Sequence, residues 1–195
     1  DGTVAGAEPL TLTAGTGGDI LFTGAVGAGT RLGAVTVASA HDVTEQAGLT
    51  AAALAQASGT GTTTLNGAVA TNTGGGVALT ASALTLNSSL TTTGTGPVTF
   101  TNGPGPLTLN GSIAADGAVT QTGAGPVTVT GTRAIVTTGD AVDILRAVTL
   151  TGGTLSIDTT NAGGVPAGAS VTFQSTVDGT VAGAEPLTLT AGTGG

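Results

Sequence analysis

Two carboxylates and a guanidinium fall within a seven-residue stretch at Asp140, Asp143 and Arg146. Acid–base cleavage of a polysaccharide needs such a grouping, with one group to donate a proton and another to accept it. The pattern around them puts Asp140 in a turn and Asp143 on the outward side of a short strand, where simple solvation is the plainer reading. His41 is the single histidine and stands next to Asp42. A Ser-His-Asp arrangement would place its serine on a strained elbow, and the chain has no Gly-x-Ser-x-Gly. His41 therefore reads as a solvated loop residue, and alone it cannot build a transition-metal site. Gly15-Thr-Gly-Gly-Asp19 is a lone approximation of the Gly-Gly-x-Gly-x-Asp repeat that surrounds calcium in tandem arrays. Asp116, Asp158 and Asp178 fall near one corner of a repeating pattern, but not in every repeat. Their expected role is to fold turns by bonding nearby amides, with structural calcium as the alternative. No other cofactor is implied.

Two further sets recur with regular spacing. Asn66, Asn87 and Asn110 each close the same short motif, which predicts a ladder of stacked side-chain amides or a shared turn. Asn87-Ser-Ser89 and Asn110-Gly-Ser112 also match the glycosylation acceptor pattern, a match that is idle in a bacterial protein. The larger set is a column of threonines: Thr11, Thr36, Thr64, Thr85, Thr108, Thr128, Thr149 and Thr172. Stacked strands would space these hydroxyls about 4.8 Å apart on an outer face. A regular array of this kind is chemically suited to a flat, ordered surface such as ice. Threonine also simply suits an exposed strand position.

The elements that position these residues follow from the motif itself, apolar-Thr-apolar and then a small polar residue. It begins at Leu10, Val35, Thr63, Leu84, Leu107, Val127, Val148 and Val171, and restarts at Leu187, with a mean step of about 22 residues. Alternation of this kind predicts a half-buried strand with aliphatic residues inward and threonine outward. A second strand is marked by Val69, Leu90, Ile113, Ile135, Leu155 and Val177. A third is centred on Val77–Leu79, Val98–Phe100, Val119–Gln121, Val142–Ile144 and Val181. Turns rich in Gly, Asn, Asp and Pro separate them, including Asp116-Gly117 and Asp178-Gly179. Between Ser39 and Gly59 the pattern falters. Asp42-Val-Thr-Glu45 has the form of a helix capping box, yet Ala53-Leu-Ala-Gln56 aligns with Ala118-Val-Thr-Gln121 and favours a strand with an inserted loop. Asn161–Ala169 reads as a Gly/Pro-rich connection.

Composition narrows the class. The 195 residues include 36 Gly and only three aromatic residues, Phe22, Phe100 and Phe173. A thin core of Leu, Val and Ile is what such an inventory can build. A net charge of −8 with three Arg and no Lys argues against nucleic acid, which needs a basic patch. No run of eighteen apolar residues is present, so no transmembrane segment is expected. Without cysteine there is neither a disulfide nor a thiolate metal site.

Residues 1–18, DGTVAGAEPLTLTAGTGG, recur without a change as residues 178–195. The chain is thus read as one 177-residue unit, 1–177, followed by the start of the next identical unit, 178–195. A pair of immunoglobulin-like sandwiches is the rival, but such domains pack aromatic residues between their sheets, and no duplication occurs at half the period. The expected fold is all-β, a right-handed parallel β-helix with about eight three-stranded rungs per period.

Gly117-Ala-Val119-Thr-Gln-Thr-Gly-Ala-Gly-Pro-Val127-Thr-Val-Thr-Gly131 and Gly105-Pro-Leu107-Thr-Leu-Asn-Gly-Ser-Ile-Ala-Ala115 resemble the strand repeats of filamentous-haemagglutinin-like bacterial surface proteins. The resemblance spans nearly the whole chain as a style of repeat. It implies a long exported fibre, adhesin stalk or cell-surface thread, located outside the cell. The expected function is structural and non-catalytic. The expected partners are flanking identical repeats or head-to-tail copies, with lateral packing into fibres. An ice-binding face and a carbohydrate-active β-helix enzyme are the alternatives.

Overall fold

Each apolar-Thr-apolar triplet forms a short strand whose aliphatic residues point one way and whose threonine points the other. Turn residues then redirect the chain before it can run further, so no strand exceeds eight residues. The computed structural model describes Asp1–Gly195, the whole chain, and contains twenty-two strands and no helix. No helix long and apolar enough to cross a membrane is therefore present.

All strand pairs are parallel and join residues about one coil apart in sequence, such as Val77 with Val98 and Val98 with Val119. The chain winds as a β-solenoid of about seven turns, with successive coils about 22 residues apart. Three faces result. Face 1 stacks eight strands, Ile20–Phe22, Val43–Glu45, Thr62–Leu65, Ala83–Leu86, Leu107–Leu109, Val127–Thr130, Val148–Thr151 and Val177–Gly179. Faces 2 and 3 form one fourteen-stranded sheet because Leu49–Gln56 turns the corner between them. Its first half pairs with Val69–Thr71 on face 2, and its second half with Val77–Ala81 on face 3.

The inward residues of all three faces meet along the axis in a core of 29 buried residues, almost all Leu, Val, Ile and Ala. Phe100 is the only aromatic side chain in it. Leu86 and Leu109 are buried while Thr85 and Thr108 between them are half-exposed, the alternation expected from the pattern. Full burial of such an aliphatic side chain contributes about 2 kcal/mol, repeated at nearly every coil.

Several assignments differ from the sequence reading. Leu10–Thr13 pairs with Val35–Ser39, which pairs with Leu54–Gln56, so all three lie on face 3. Val171–Phe173 pairs with Val142–Ile144, also on face 3, and Leu187–Thr190 pairs with Leu155–Asp158 on face 2. Val177, expected in a second strand, is on face 1 opposite Val148, and Asp178-Gly179 completes that strand rather than a turn. Val181, expected in a third strand, lies in a turn and is 59% exposed. The strands that changed face share one cause. Each face buries alternate residues, so the alternation sets which residues point inward but not which face they join. The Asp42–Glu45 capping pattern forms a strand, not a helix, whereas Ala53–Gln56 aligns with Ala118–Gln121 on face 3 as expected.

Candidate functional site: the threonine and asparagine face

Face 1 presents the most regular outer surface. Register aligns Thr44, Thr64, Thr85, Thr108, Thr128 and Thr149 in one unbroken column, ended by Leu21 below and Asp178 above. The column has five of the eight threonines expected from sequence. Thr11 and Thr36 stack on each other on face 3, and Thr172 stacks on Asp143 on the same face. Thr44 escaped the sequence pattern because Glu45 occupies the inward position that an aliphatic residue fills elsewhere. The Glu45 side chain is fully buried, and its carboxylate accepts the amides of Ala47 (2.6 Å), Gly48 and Gly67 (2.9 Å).

Beside the threonines runs the asparagine ladder. Asn110 Nδ2 donates to Asn87 Oδ1 and Asn87 Nδ2 to Asn66 Oδ1, each at 2.8 Å. Above the ladder Thr130 pairs with Thr151. The strands from Thr62 to Thr151 on this face carry no charged residue. The strand positions here are therefore uncharged, and their outward side is lined by hydroxyls and amides at about 4.8 Å axial spacing. It can offer many weak hydrogen bonds to a periodic partner, but no proton-transfer group.

The ionisable candidates separate into small local clusters. His41 Nδ1 lies 3.2 Å from Asp19 Oδ1 and 3.5 Å from Asp42 Oδ2. Asp19 Oδ1 also accepts the Asp42 amide at 3.0 Å, and Asp42 Oδ1 accepts the Thr62 amide at 2.6 Å. Asp19 and His41 stand 22 residues apart, one coil, and that spacing was the available signal for their contact. The trio could offer one nitrogen and two oxygens to a cation, and it is the only acid–imidazole group close enough to share one. In the fold it ties three successive coils together.

Asp143 accepts Gln174 Nε2 at 2.9 Å, while Arg146 Nε donates to the Gly123 carbonyl at 2.9 Å. Asp140, Asp143 and Arg146 thus form no ion pair, and the grouping that suggested polysaccharide cleavage is not assembled. Arg31 donates to the Ala51 and Ala70 carbonyls at 2.6 and 2.9 Å, and Arg133 to the Thr132 carbonyl at 3.1 Å. Every arginine serves backbone oxygen.

Asp116 and Asp158 act at turns. The Thr95 amide (2.9 Å) and the Thr138 hydroxyl (2.7 Å) hold the Asp116 carboxyl below its ordinary pKa. The Thr160 hydroxyl and amide, at 2.6 and 2.7 Å, do the same for Asp158. Thr95 adopts φ 62°, unusual for a β-branched residue, so its bond to Asp116 stabilises a strained turn. Asp116 also lines a groove of about 170 Å³ with Thr92, Thr138 and Asn161. That volume is below the roughly 300 Å³ at which small-molecule pockets begin.

One set of residues was missed by the sequence reading. Thr71, Thr92, Thr137 and Thr159 point inward at the corner between faces 2 and 3 and are buried. Thr92 donates to the Gly96 carbonyl and Thr159 to the Ala169 carbonyl, closing turns from inside. Their place two residues after inward Leu90 and Ile157 was the signal.

No protein-family model, curated protein or solved structure matches this chain.

Proposed function

We propose that the chain is a non-catalytic segment of a long β-solenoid rod, a filament or stalk displayed outside the cell. The observation that carries this reading is the recurrence of eighteen identical residues whose second copy re-enters the parallel stack in register, Leu187 opposite Leu155. A sequence that repeats and restacks on itself builds length rather than a site. The resemblance of the repeats to those of bacterial surface fibres supports an extracellular location.

The test is to join one, two and three 177-residue periods in one chain and measure particle length by electron microscopy. Each period should add roughly 35–40 Å, from between seven and eight coils at about 4.8 Å each. Particles that do not lengthen by that increment would reject the rod.

A second reading rests on the six contiguous threonines of face 1, which offer an ordered hydroxyl row to ice. Measurable thermal hysteresis that disappears in Thr85→Lys/Thr128→Lys would support it. Wild-type protein without hysteresis or altered crystal habit would remove it.

A further inference from the structure

We propose that the 177-residue period is not a whole number of coils, and that successive copies in an array are turned by one face, a third of a revolution, about the rod axis. This rests on the array reading above. The two copies of the repeated segment have the same internal conformation. Glu8 accepts the Thr3 hydroxyl and the Val4 amide (3.0 Å), and Glu185 accepts the Thr180 hydroxyl (2.9 Å) and the Val181 amide (2.9 Å). Gly6 and Gly183 share a left-handed φ, 77° and 74°.

The copies differ in which neighbour they touch. The first bonds the coil that follows it. Gly33 N donates to the Glu8 carbonyl (2.8 Å) and Ala14 N to the Ser39 carbonyl (2.9 Å), on face 3. The second bonds the coil that precedes it. Leu155 N donates to the Pro186 carbonyl (3.1 Å) and Thr159 N to the Thr190 carbonyl (2.9 Å), on face 2. Pro186 and Thr190 are the counterparts of Pro9 and Thr13, 177 residues earlier.

One copy therefore uses positions 8 and 14, and the other uses positions 9 and 13. Successive backbone groups of a strand point to opposite sides, so a strand inside a sheet needs both sets and no group serves twice. A copy within an array can hold both neighbours at once. The only amide that changes partner is Thr3 N, bonded to Glu8 Oε1, whose counterpart Thr180 N bonds the Leu150 carbonyl. In the second copy the Thr180 hydroxyl still reaches Glu185, so the turn is retained.

Joining the two half-environments sets the phase. From Leu10–Thr13 to Val171–Phe173, both on face 3, the chain completes seven coils. Val177–Gly179 and Leu187–Thr190 then occupy the next two of three faces. One period is seven and two-thirds coils, not eight. The threonine and asparagine face of one copy is succeeded by another side of the rod in the next and returns after three copies. A long array then presents this chemistry all round, and a flat partner meets it in separated patches.

The chain has no cysteine, which permits a direct test by disulfide capture. Ser156 and Thr188 are register neighbours. Adjacent strands lie about 4.8 Å apart, within the range a disulfide spans. Ser156→Cys/Thr188→Cys should close under mild oxidation, with loss of both titratable thiols. Thr172→Cys/Thr188→Cys, the pair that a whole number of rungs would bring together, should stay reduced. Single-cysteine variants with unchanged circular dichroism establish folding. Closure of the Thr172 pair, or of neither pair, overturns the rotation. A two-period chain that lengthens by roughly 35–40 Å yet closes the Thr172 pair refutes the rotation alone, whereas one that does not lengthen refutes the array.

Discussion

The coils around Leu84–Leu109 and those around Glu45–Thr63 share one backbone path but differ in what face 1 turns inward. Between Leu84 and Leu109, face 1 turns only leucines inward, Leu84, Leu86, Leu107 and Leu109, while the buried Thr92 and Asn102 of these coils lie on the other two faces. In the lower coils Glu45, Gln56 and Thr63 are buried. Thr63 Oγ1 donates to Gln56 Oε1 at 2.7 Å, while Gln56 Nε2 has no partner. The leucine strands of face 1 are interchangeable, since a leucine in one could stack on a leucine in any other. The polar coil is specific, because the Glu45 carboxylate fits only where the amides of Ala47, Gly48 and Gly67 converge. A repetitive solenoid gains register where its repetition is interrupted.

The largest effect should come from putting a charge into the interchangeable interior. Leu109→Asp buries a carboxylate with no waiting donors and should cost several kcal/mol, on the order of the whole margin of a small domain. Chemical denaturation monitored by circular dichroism would measure it. A cost below about 1 kcal/mol would show that the upper coils open to water.

Glu45→Ala should cost about 3 kcal/mol, because it leaves three backbone amides without their acceptor rather than merely removing a side chain. Glu45→Gln keeps one acceptor in place and should lose less. Equal losses in the same denaturation assay would break the comparison, since the carboxylate would then be replaceable by bulk alone.

Acid should act through the turns rather than the core. Glu8, Asp116, Asp158 and Glu185 all have folded pKa values below their ordinary ones. The leading causes are the Thr3 hydroxyl, the Thr95 amide, the Thr160 hydroxyl and the Val181 amide, respectively. A depressed carboxylate stabilises the fold above its unfolded pKa and loses that contribution as pH falls through its folded value. The melting temperature should be level near neutrality and fall once pH drops below the ordinary carboxylate range. A level profile down to strong acid would show that these turns add no stability. The smallest effect belongs to the outer face: Thr108→Val should change stability by less than about 1 kcal/mol.

The sequence made the inward and outward parity legible, but not the azimuth. Leu86, Leu109, Thr85 and Thr108 were readable because a strand has only two sides. Thr11, Thr36 and Thr172 were not, because three faces accept the same triplet and unequal turns decide which one receives it. The asparagine ladder was readable because Asn66, Asn87 and Asn110 are each about one coil apart. Thr44 was hidden by the inward Glu45, a position where burial is set by amides contributed from two coils. The Asp19–His41 contact was within reach, since coil length alone predicts it.

The arginines carry a consequence for behaviour in salt. Arg31, Arg133 and Arg146 donate to backbone carbonyls, and the only close contacts between acidic and basic side chains join His41 to Asp19 and Asp42. With so little attraction between unlike charges, the net charge of −8 acts chiefly as repulsion along the rod. Dissolved ions at about 0.15 M screen such repulsion beyond about 8 Å. Raising the ionic strength should therefore leave the melting temperature unchanged or raise it slightly, whereas a fold held by surface salt bridges would weaken.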